Sequence, residues 1–590
     1  MALPLTPIKR LLDCGLSLHR QGSYRQAIEL YRQAVAADGG AAAHNLIAAA
    51  LLELGRFGEA EPELRRAIAL EPGWPPGLGH RGNALKALGR VAEAIASYRR
   101  SLAANAEDPL WLRNLGLALL AASALDDAAA AFRRSLTRRA DDGEVLNSLG
   151  IVEMQLGDAA SAERSFRRAV AAMPGLGDAV VNLALTRLDN GDPAAAEHDA
   201  RRAGALAPSS ADALNALAAA RLALNRPEDA ARLLRRALSQ RPDFCEAHFN
   251  LGLAWMDFAQ LKAAEIAALR ALALKPGYAE AEWNLAFARL LSGEFRSGWR
   301  NYEARWRMRR FPTPLRRFPA PLWEGEPLAG RRILLHAEQG LGDTLQFIRY
   351  APLVAARGGH VIVECQASLK RLIATMPAVR ELRAQGEAPP VFDVHAPLLS
   401  LPRIFGTTLA SIPNRVPYLG APDEPPSPSR PTIGLVWAGS AAHRRDRARS
   451  LPKELARRLC RRLLAIDGVD LVSLQLGPRA DEVDDIVPRL LPAAADFLDS
   501  ARALAGISLL VSVDTAIVHL AGALARPALV VLPFLPDFRW LLTGSTSPWY
   551  PSAHLLRQPA PGDWEGVLKR VPGQAEAMLA SLSRVQSGGS

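Results

Sequence analysis

Gly157-Asp158-Ala159-Ala160-Ser161-Ala162-Glu163-Arg164-Ser165-Phe166 decides the fold of the first half of the chain, because three of its positions return at a fixed step. The glycine belongs to the series Gly22, Gly55, Gly89, Ser123, Gly157, Gly191, Asn225, Ala259 and Gly293, spaced by 33 once and by 34 thereafter. Five residues after each stands a small residue: Ala27, Ala60, Ala94, Ala128, Ala162, Ala196, Ala230, Ala264 and finally Gly298. Nine residues after stands Tyr31, Leu64, Tyr98, Phe132, Phe166, Ala200, Leu234, Ala268 or Tyr302. Pro72, Pro174, Pro208, Pro242 and Pro276 close five of the units.

A step of this length is that of one helical hairpin stacked on copies of itself. The small residue lets two helices cross closely, the aromatic or Leu fills the gap to the next hairpin, and Pro stops the second helix. The pattern resembles the tetratricopeptide repeat, about nine copies within residues 1–310. The resemblance implies a groove that docks a polypeptide partner or acceptor; a spacer or dimerisation arm is the blander alternative. The repeats carry no catalytic constellation.

Length and composition agree with several folded units, since 590 residues exceed what one domain holds. With 49% apolar and 22% charged residues the chain is neither collagen-like nor wholly disordered. No apolar run approaches the ~20 residues of a membrane span, and the N-terminal residues lack the basic and apolar regions of a secretory signal. Cys14, Cys245, Cys365 and Cys460 are scattered without a CxxC pair, which argues against a disulfide framework and a structural zinc. A cytoplasmic protein is expected. The net charge of +11 invites a nucleic-acid reading, but no zinc-finger, RRM or basic-zipper pattern accompanies it, so no nucleic-acid partner is expected. Eight arginines lie between Arg296 and Arg317 against one acid, Glu303. Such a run reads as a solvated face, with an acidic partner or peripheral contact with a membrane surface as alternatives.

Near Phe311 the step stops, and 311–330, with Pro312, Pro314, Pro319 and Pro321, reads as a linker. Strand-like and helical runs then alternate. Arg332–His336 and His360–Cys365 read as strands, with a helical run from Asp343 to about Arg357, a helix at Ala367–Met376 and a strand at Phe392–Ala396. Residues 421–431 read as a hinge. Ile433–Trp437, Leu471–Gln475, Leu509–Val513 and Ala528–Leu532 then read as strands, the last being the final long one. This is βαβ order in two blocks, 331–420 and 432–586, hence two parallel sheets with ligand sites at their strand ends.

Three loops at those ends carry candidate chemistry. In Glu338-Gln339-Gly340-Leu341-Gly342-Asp343, Gly340 and Gly342 permit a tight turn, and Asp343 falls in the first helical turn. It reads either as a general base taking a hydroxyl proton or as a cap. After the second block's first strand come Gly439 and Ser440, then Arg444, Arg447 and Arg449, cations suited to a diphosphate or to plain solvent exposure. In Asp514-Thr515-Ala516-Ile517-Val518-His519 a strand feeds a helix N-terminus, whose free N–H groups make an anion site. His519 reads as a phosphate or ribose contact, or as a core histidine.

Taken together, GLGD, a basic loop after a Trp-Ala-Gly strand end, and DTxxxHLA resemble the glycosyltransferases related to bacterial lipopolysaccharide heptosyltransferases, over about residues 328–570. The resemblance implies a two-domain α/β GT-B fold behind the all-α solenoid, and inverting transfer from a nucleotide-diphosphate sugar without a metal or other cofactor. It places Asp343 as base; Gly340, Gly342, Gly439, Ser440, Arg444, Arg447, Arg449 and Gln475 around the donor; and Asp514, Thr515, Ala516 and His519 at its diphosphate turn. No Asp-x-Asp triad stands in 331–590, in agreement. Two positions depart from the family: Ala516 replaces a Gly or Ser, and Gln475 stands where an acid often meets the donor nucleoside. The expected function is therefore sugar transfer to an acceptor hydroxyl, on a protein recruited by the repeats. The alternatives are transfer to cell-surface or lipid-linked glycans, and an inactive scaffold.

Overall fold

The computed structural model describes residues 7–308, 311–313, 315–388, 390–420, 428–440 and 446–587, without the side chains of Arg447 and residues 585–587. Arg444, the Arg447 side chain, Arg309, Arg310 and residues 421–427 of the expected hinge thus lie outside the described residues.

Helices run in antiparallel pairs from Pro7–Arg20 with Tyr24–Ala36 up to Ala279–Leu291 with Phe295–Tyr302. Each recurring Gly sits in the two-residue turn inside a hairpin, and every member of that series has positive φ, from 56° at Ala259 to 87° at Gly157. The turn demands a left-handed residue, which is why glycine dominates and why Ser123, Asn225 and Ala259 are the strained members. The recurring alanines are buried, and so are the residues four positions further on. The ring at this second position lies on a glycine seven residues before the turn. A Cβ on Gly15, Gly82, Gly116 or Gly150 would stand 2.4–2.6 Å from a ring carbon of Tyr31, Tyr98, Phe132 or Phe166. Where the filler is Leu64 or Leu234, the facing position is Ala48 or Ala218, so the pair conserves volume. Helices before the closing prolines end two residues short of them, at Leu70, Ala172, Leu206, Gln240 and Leu274.

Two compact units divide the chain, residues 1–242 and 243–590. The first is helical throughout, with cores such as that from Leu85 to Ala216 running from hairpin to hairpin. The second holds the last two hairpins and both sheets, so the compact division does not fall at residue 310. Its cause is side-chain chemistry: Phe295, Trp299 and Tyr302 share one core with the strands.

The first sheet has β1 (Arg332–His336), β2 (His360–Cys365), β3 (Glu381–Ala384) and β4 (Val394–Pro397) in the order β3-β2-β1-β4. The second has β5 (Thr432–Val436), β6 (Asp470–Ser473), β7 (Leu509–Val513), β8 (Ala528–Leu532) and β9 (Ala553–Arg557) in the order β6-β5-β7-β8-β9. All neighbours pair in parallel, Ile433 opposite Leu471 on one side and Leu509 on the other. β7 and β8 are buried along their whole length, which explains why β8 is apolar throughout and β7 is apolar apart from Ser512. Three expectations need correction. β3 was not foreseen, because Glu381-Leu-Arg-Ala alternates like a solvated segment. β9 follows the strand expected to be the last long one. The helices foreseen at 343–357 and 367–376 break into short α and 3-10 pieces, Leu341–Phe347, Ile348–Tyr350 and Ala351–Ala355, then Ala367–Leu369 and Lys370–Ile373; Pro352 lies within the first run.

Candidate functional site

In an open parallel sheet the ligand crevice opens where strand order reverses, at the strands' carboxyl ends. In the second sheet that point lies between β5 and β7. The loops that follow them are Trp437–Ser440 and Asp514–Thr515, the two expected on the donor side. The loop after β1 leads into the helix Leu341–Phe347, which packs on the helix Ala516–Ala523 after β7. Gly342 lies in that contact. A Cβ there would stand 2.8 Å from His519 Cδ2 and 3.6 Å from Ala516 Cα. The first and third loops, whose Gly342 and His519 lie 177 residues apart in sequence, are therefore one place in the fold.

Asp343 occupies the third position of its helix, and its Oδ2 accepts the Gly340 N–H at 2.8 Å. Its other oxygen is held by the Arg539 guanidinium, a residue the sequence had not marked. Arg539 sits in the 3-10 turn Phe538–Trp540 and also binds Asp537 at 2.7 Å and the Gln346 side chain. Burial alone would lower its pKa, but the Asp537 and Asp343 carboxylates outweigh it and hold the cation firmly charged. Asp343 is thus the local cap and, at the same time, a half-buried carboxylate paired with a buried arginine.

Thr515 is the extended N-cap of the helix 516–523, and its hydroxyl lies 3.3 Å from Ser512 Oγ rather than on the helix amides. Ala516 begins that helix and is half-buried. His519 is buried, with Nδ1 3.0 Å from Tyr550 Oη and its ring stacked on Trp540 at 5.5 Å. Burial, with Arg539, Arg349 and Arg449 nearby, holds its pKa well below the usual imidazole range, so the ring is neutral at pH 7. Burial and then the Asp537 carboxylate push the Asp514 carboxyl up to about 6.

In the second loop, Gly439 N–H donates to Ser450 Oγ at 2.9 Å, and a Cβ on Gly439 would stand 2.8 Å from Arg449 Nη2. Ser440 is exposed. Arg449 lies 3.7 Å from Asp446, and its Nε is buried without a hydrogen-bond partner among the described residues. Gln475 has a different duty from the one expected. Its Oε1 accepts the Trp437 and Ala438 N–H groups at 3.2 and 3.0 Å, and its Nε2 donates to the Ala438 and Leu476 carbonyls. With both ends of the amide committed, it ties the ends of β5 and β6 together.

The arginine run is not a uniform solvated face. Arg296, Arg300, Arg307 and Arg317 are exposed, but Arg307 pairs with Glu282. Arg316 pairs with the buried Glu364. Arg305 is 0% exposed and grips Glu338 with two hydrogen bonds of 2.9 and 2.8 Å. A single sequence shows the charge excess and not the partners that neutralise it.

A family model described as the tetratricopeptide repeat matches residues 12–75, 81–145, 125–177 and 216–279. The N-terminal part of the chain is thus a tetratricopeptide-repeat array, a kind of repeat that typically binds polypeptide partners. Among curated proteins, Protein FlbA of Caulobacter vibrioides is 27% identical over 332 residues, 48% of this chain and 52% of the relative. The chain spans about half the length of that relative. Among solved structures, the APC/C hetero-tetramer Cut9-Hcn1 aligns with a TM-score of 0.37 and 16% identity, over 47% of this chain and 55% of that one. Pseudomonas aeruginosa pilF aligns with a TM-score of 0.33 and 17% identity, over 36% and 96%. No described helix is long and apolar enough to cross a membrane.

Proposed function

We propose that residues 243–590 form a GT-B-type glycosyltransferase and that the repeats bring it a polypeptide acceptor. The observation that carries the reading is the meeting of the helices 341–347 and 516–523, with Gly342 against His519 at the strand ends. It sets Asp343 next to the helix that follows β7, on one side of the β5–β7 switch point where a nucleotide would lie. In this reading the donor diphosphate rests on the N–H groups at the start of the helix 516–523 and on Arg449. Asp343 takes the proton of the acceptor hydroxyl as its oxygen attacks the anomeric carbon, and the nucleoside diphosphate leaves from the opposite face. Negative charge building on the leaving diphosphate is met by fixed donors that need no reorganisation. The chain's own cations serve here, with no metal or cofactor in the scheme. The acceptor is a protein hydroxyl; a cell-surface or lipid-linked glycan hydroxyl would use the same chemistry.

One observation favours the inactive scaffold: Asp343 already spends both oxygens on Arg539 and Gly340. Turnover separates the two. The full chain, incubated with a panel of nucleoside-diphosphate sugars, should release nucleoside diphosphate and move sugar to an acceptor. Asp343→Asn should keep donor affinity and lose about 10²–10⁴ in rate. Turnover close to wild type in the folded variant would remove Asp343 from the mechanism, and a chain that binds no nucleotide sugar would leave the scaffold.

A further inference from the structure

We propose that Arg305, at the end of the last repeat hairpin, is a positioning residue for the turn that carries Asp343, a proposal that rests on the transferase reading of that turn. The 3-10 segment Glu303–Arg307 follows the final repeat helix without a break. From it, Arg305 Nε and Nη2 donate to the two Glu338 oxygens, and Nη2 also reaches Ser400 Oγ at 2.8 Å. Glu338 is 1% exposed and takes the Leu399 N–H as a further bond, 3.2 Å long. It stands two residues after β1 and five before Asp343. Its neighbour Gln339 has φ of 59°, a left-handed conformation that a residue with a side chain keeps only when its surroundings hold it. Those surroundings come from the same side: Gln339 Nε2 donates to Tyr302 Oη at 3.2 Å, and Gln339 N–H to Thr313 Oγ1 at 3.2 Å.

The other contact of Asp343 has the same foundation. Arg539 follows Phe538, whose ring packs on Phe287, Trp299 and Tyr302 at centroid distances of 5.6, 5.4 and 5.9 Å. The loop delivering Asp343 and the turn delivering its arginine are thus both seated on the last hairpin. A bidentate, fully buried ion pair is a costly way to add stability, since apolar replacements often do as well, but it fixes one geometry.

Arg305→Met leaves Glu338 unpaired, so the decisive variant is Arg305→Met combined with Glu338→Gln, which removes both charges and keeps an acceptor for Leu399. In the full chain, amide exchange of residues 337–347 should quicken about tenfold or more in the double variant, while β5, β7 and β8 stay protected. Turnover should fall about 10-fold to 100-fold with donor affinity unchanged, the signature of a displaced reacting group. Wild-type exchange across 337–347 in the folded double variant overturns the proposal. So does failure of both the single and the double variant to fold, which would make the pair a folding element only. A wild-type chain without transferase activity retires the transferase reading instead, and the exchange comparison still decides whether Arg305 holds the turn.

Discussion

Gly150 shows how far a single residue is determined by its neighbour. A Cβ on it would lie 2.6 Å from Cε1 of the buried Phe166 ring. Gly150→Ala should therefore cost about 1–3 kcal/mol, seen as a lower midpoint in urea followed by helical circular dichroism. Adding Phe166→Leu should recover part of the loss, since Leu64 opposite Ala48 is the same solution already present in the array. Asp514 makes a second case, through pH. Its folded pKa, about 6, stands well above the ordinary range of an aspartate, so the folded state holds this proton after the unfolded state has released it. Stability from this group is then full below about pH 4 and falls as pH rises to about 6. Asp514→Asn should raise the melting temperature at pH 8, by the equivalent of about 1–3 kcal/mol, and change it little at pH 4. An equal shift at both pH values would show that ionisation of Asp514 is not the cause.

At the scale of elements, the junction of the helices 341–347 and 516–523 is set by the absence of a side chain at Gly342. Gly342→Ala forces the helices apart or turns His519 out of its contact with Tyr550. The expected outcome is a loss of about 1–3 kcal/mol together with weaker nucleotide-sugar binding by titration calorimetry. Arg449→Ala tests the opposite loop and should weaken that binding by about 1.5–3 kcal/mol if the guanidinium meets the diphosphate. Unchanged affinity would return the loop to solvent. Such elements differ in how plainly the sequence displays them. β1, β2, β7 and β8 are legible to the residue, because each is built on three or more consecutive apolar residues, as strands buried on both faces tend to be. β3 and β9 are mixed, Glu-Leu-Arg-Ala and Ala-His-Leu-Leu-Arg, with no apolar run of three to mark them. In the site, Gly342, Asp343, Thr515 and His519 are legible from a glycine turn and a strand-to-helix junction. Arg539 is not, because its partner Asp343 lies 196 residues away and no spacing rule reaches that far. Gln475 misled for the opposite reason, since a polar residue at a strand end reads as a ligand contact until its amide is seen bound to backbone.

At the scale of the molecule, the repeat pattern runs past Pro242, yet the compact units divide there. The final hairpins repeat like the others and bury like part of the sheet core. A fragment of residues 243–590 should thus fold, whereas one starting at 320 would lack Phe287, Phe295, Trp299, Tyr302 and Arg305 and leave Glu338 buried without its cation. Removing one partner of such a pair typically costs about 3–5 kcal/mol. Thermal unfolding and near-ultraviolet circular dichroism of the two fragments should differ accordingly, and equal cooperativity would refute the assignment. Residues 1–242 alone should be helical, since arrays of this kind are stabilised between nearest neighbours; β signal in that fragment would contradict it.

The aromatic face of the last hairpin also has a history within each round of synthesis. Trp299 leaves the ribosome about 250 residues before Trp549, on which it finally packs, a wait of roughly 10–50 s at ordinary elongation rates. Through that interval the earlier hairpins can already stack, each on the one before it, while Phe287, Phe295 and Trp299 still lack Phe538 and Trp549, the rings they finally meet. The nascent chain therefore carries a sticky end at its growing edge, and a chaperone that shields aromatic surface should be found on ribosomes translating the second half of the message.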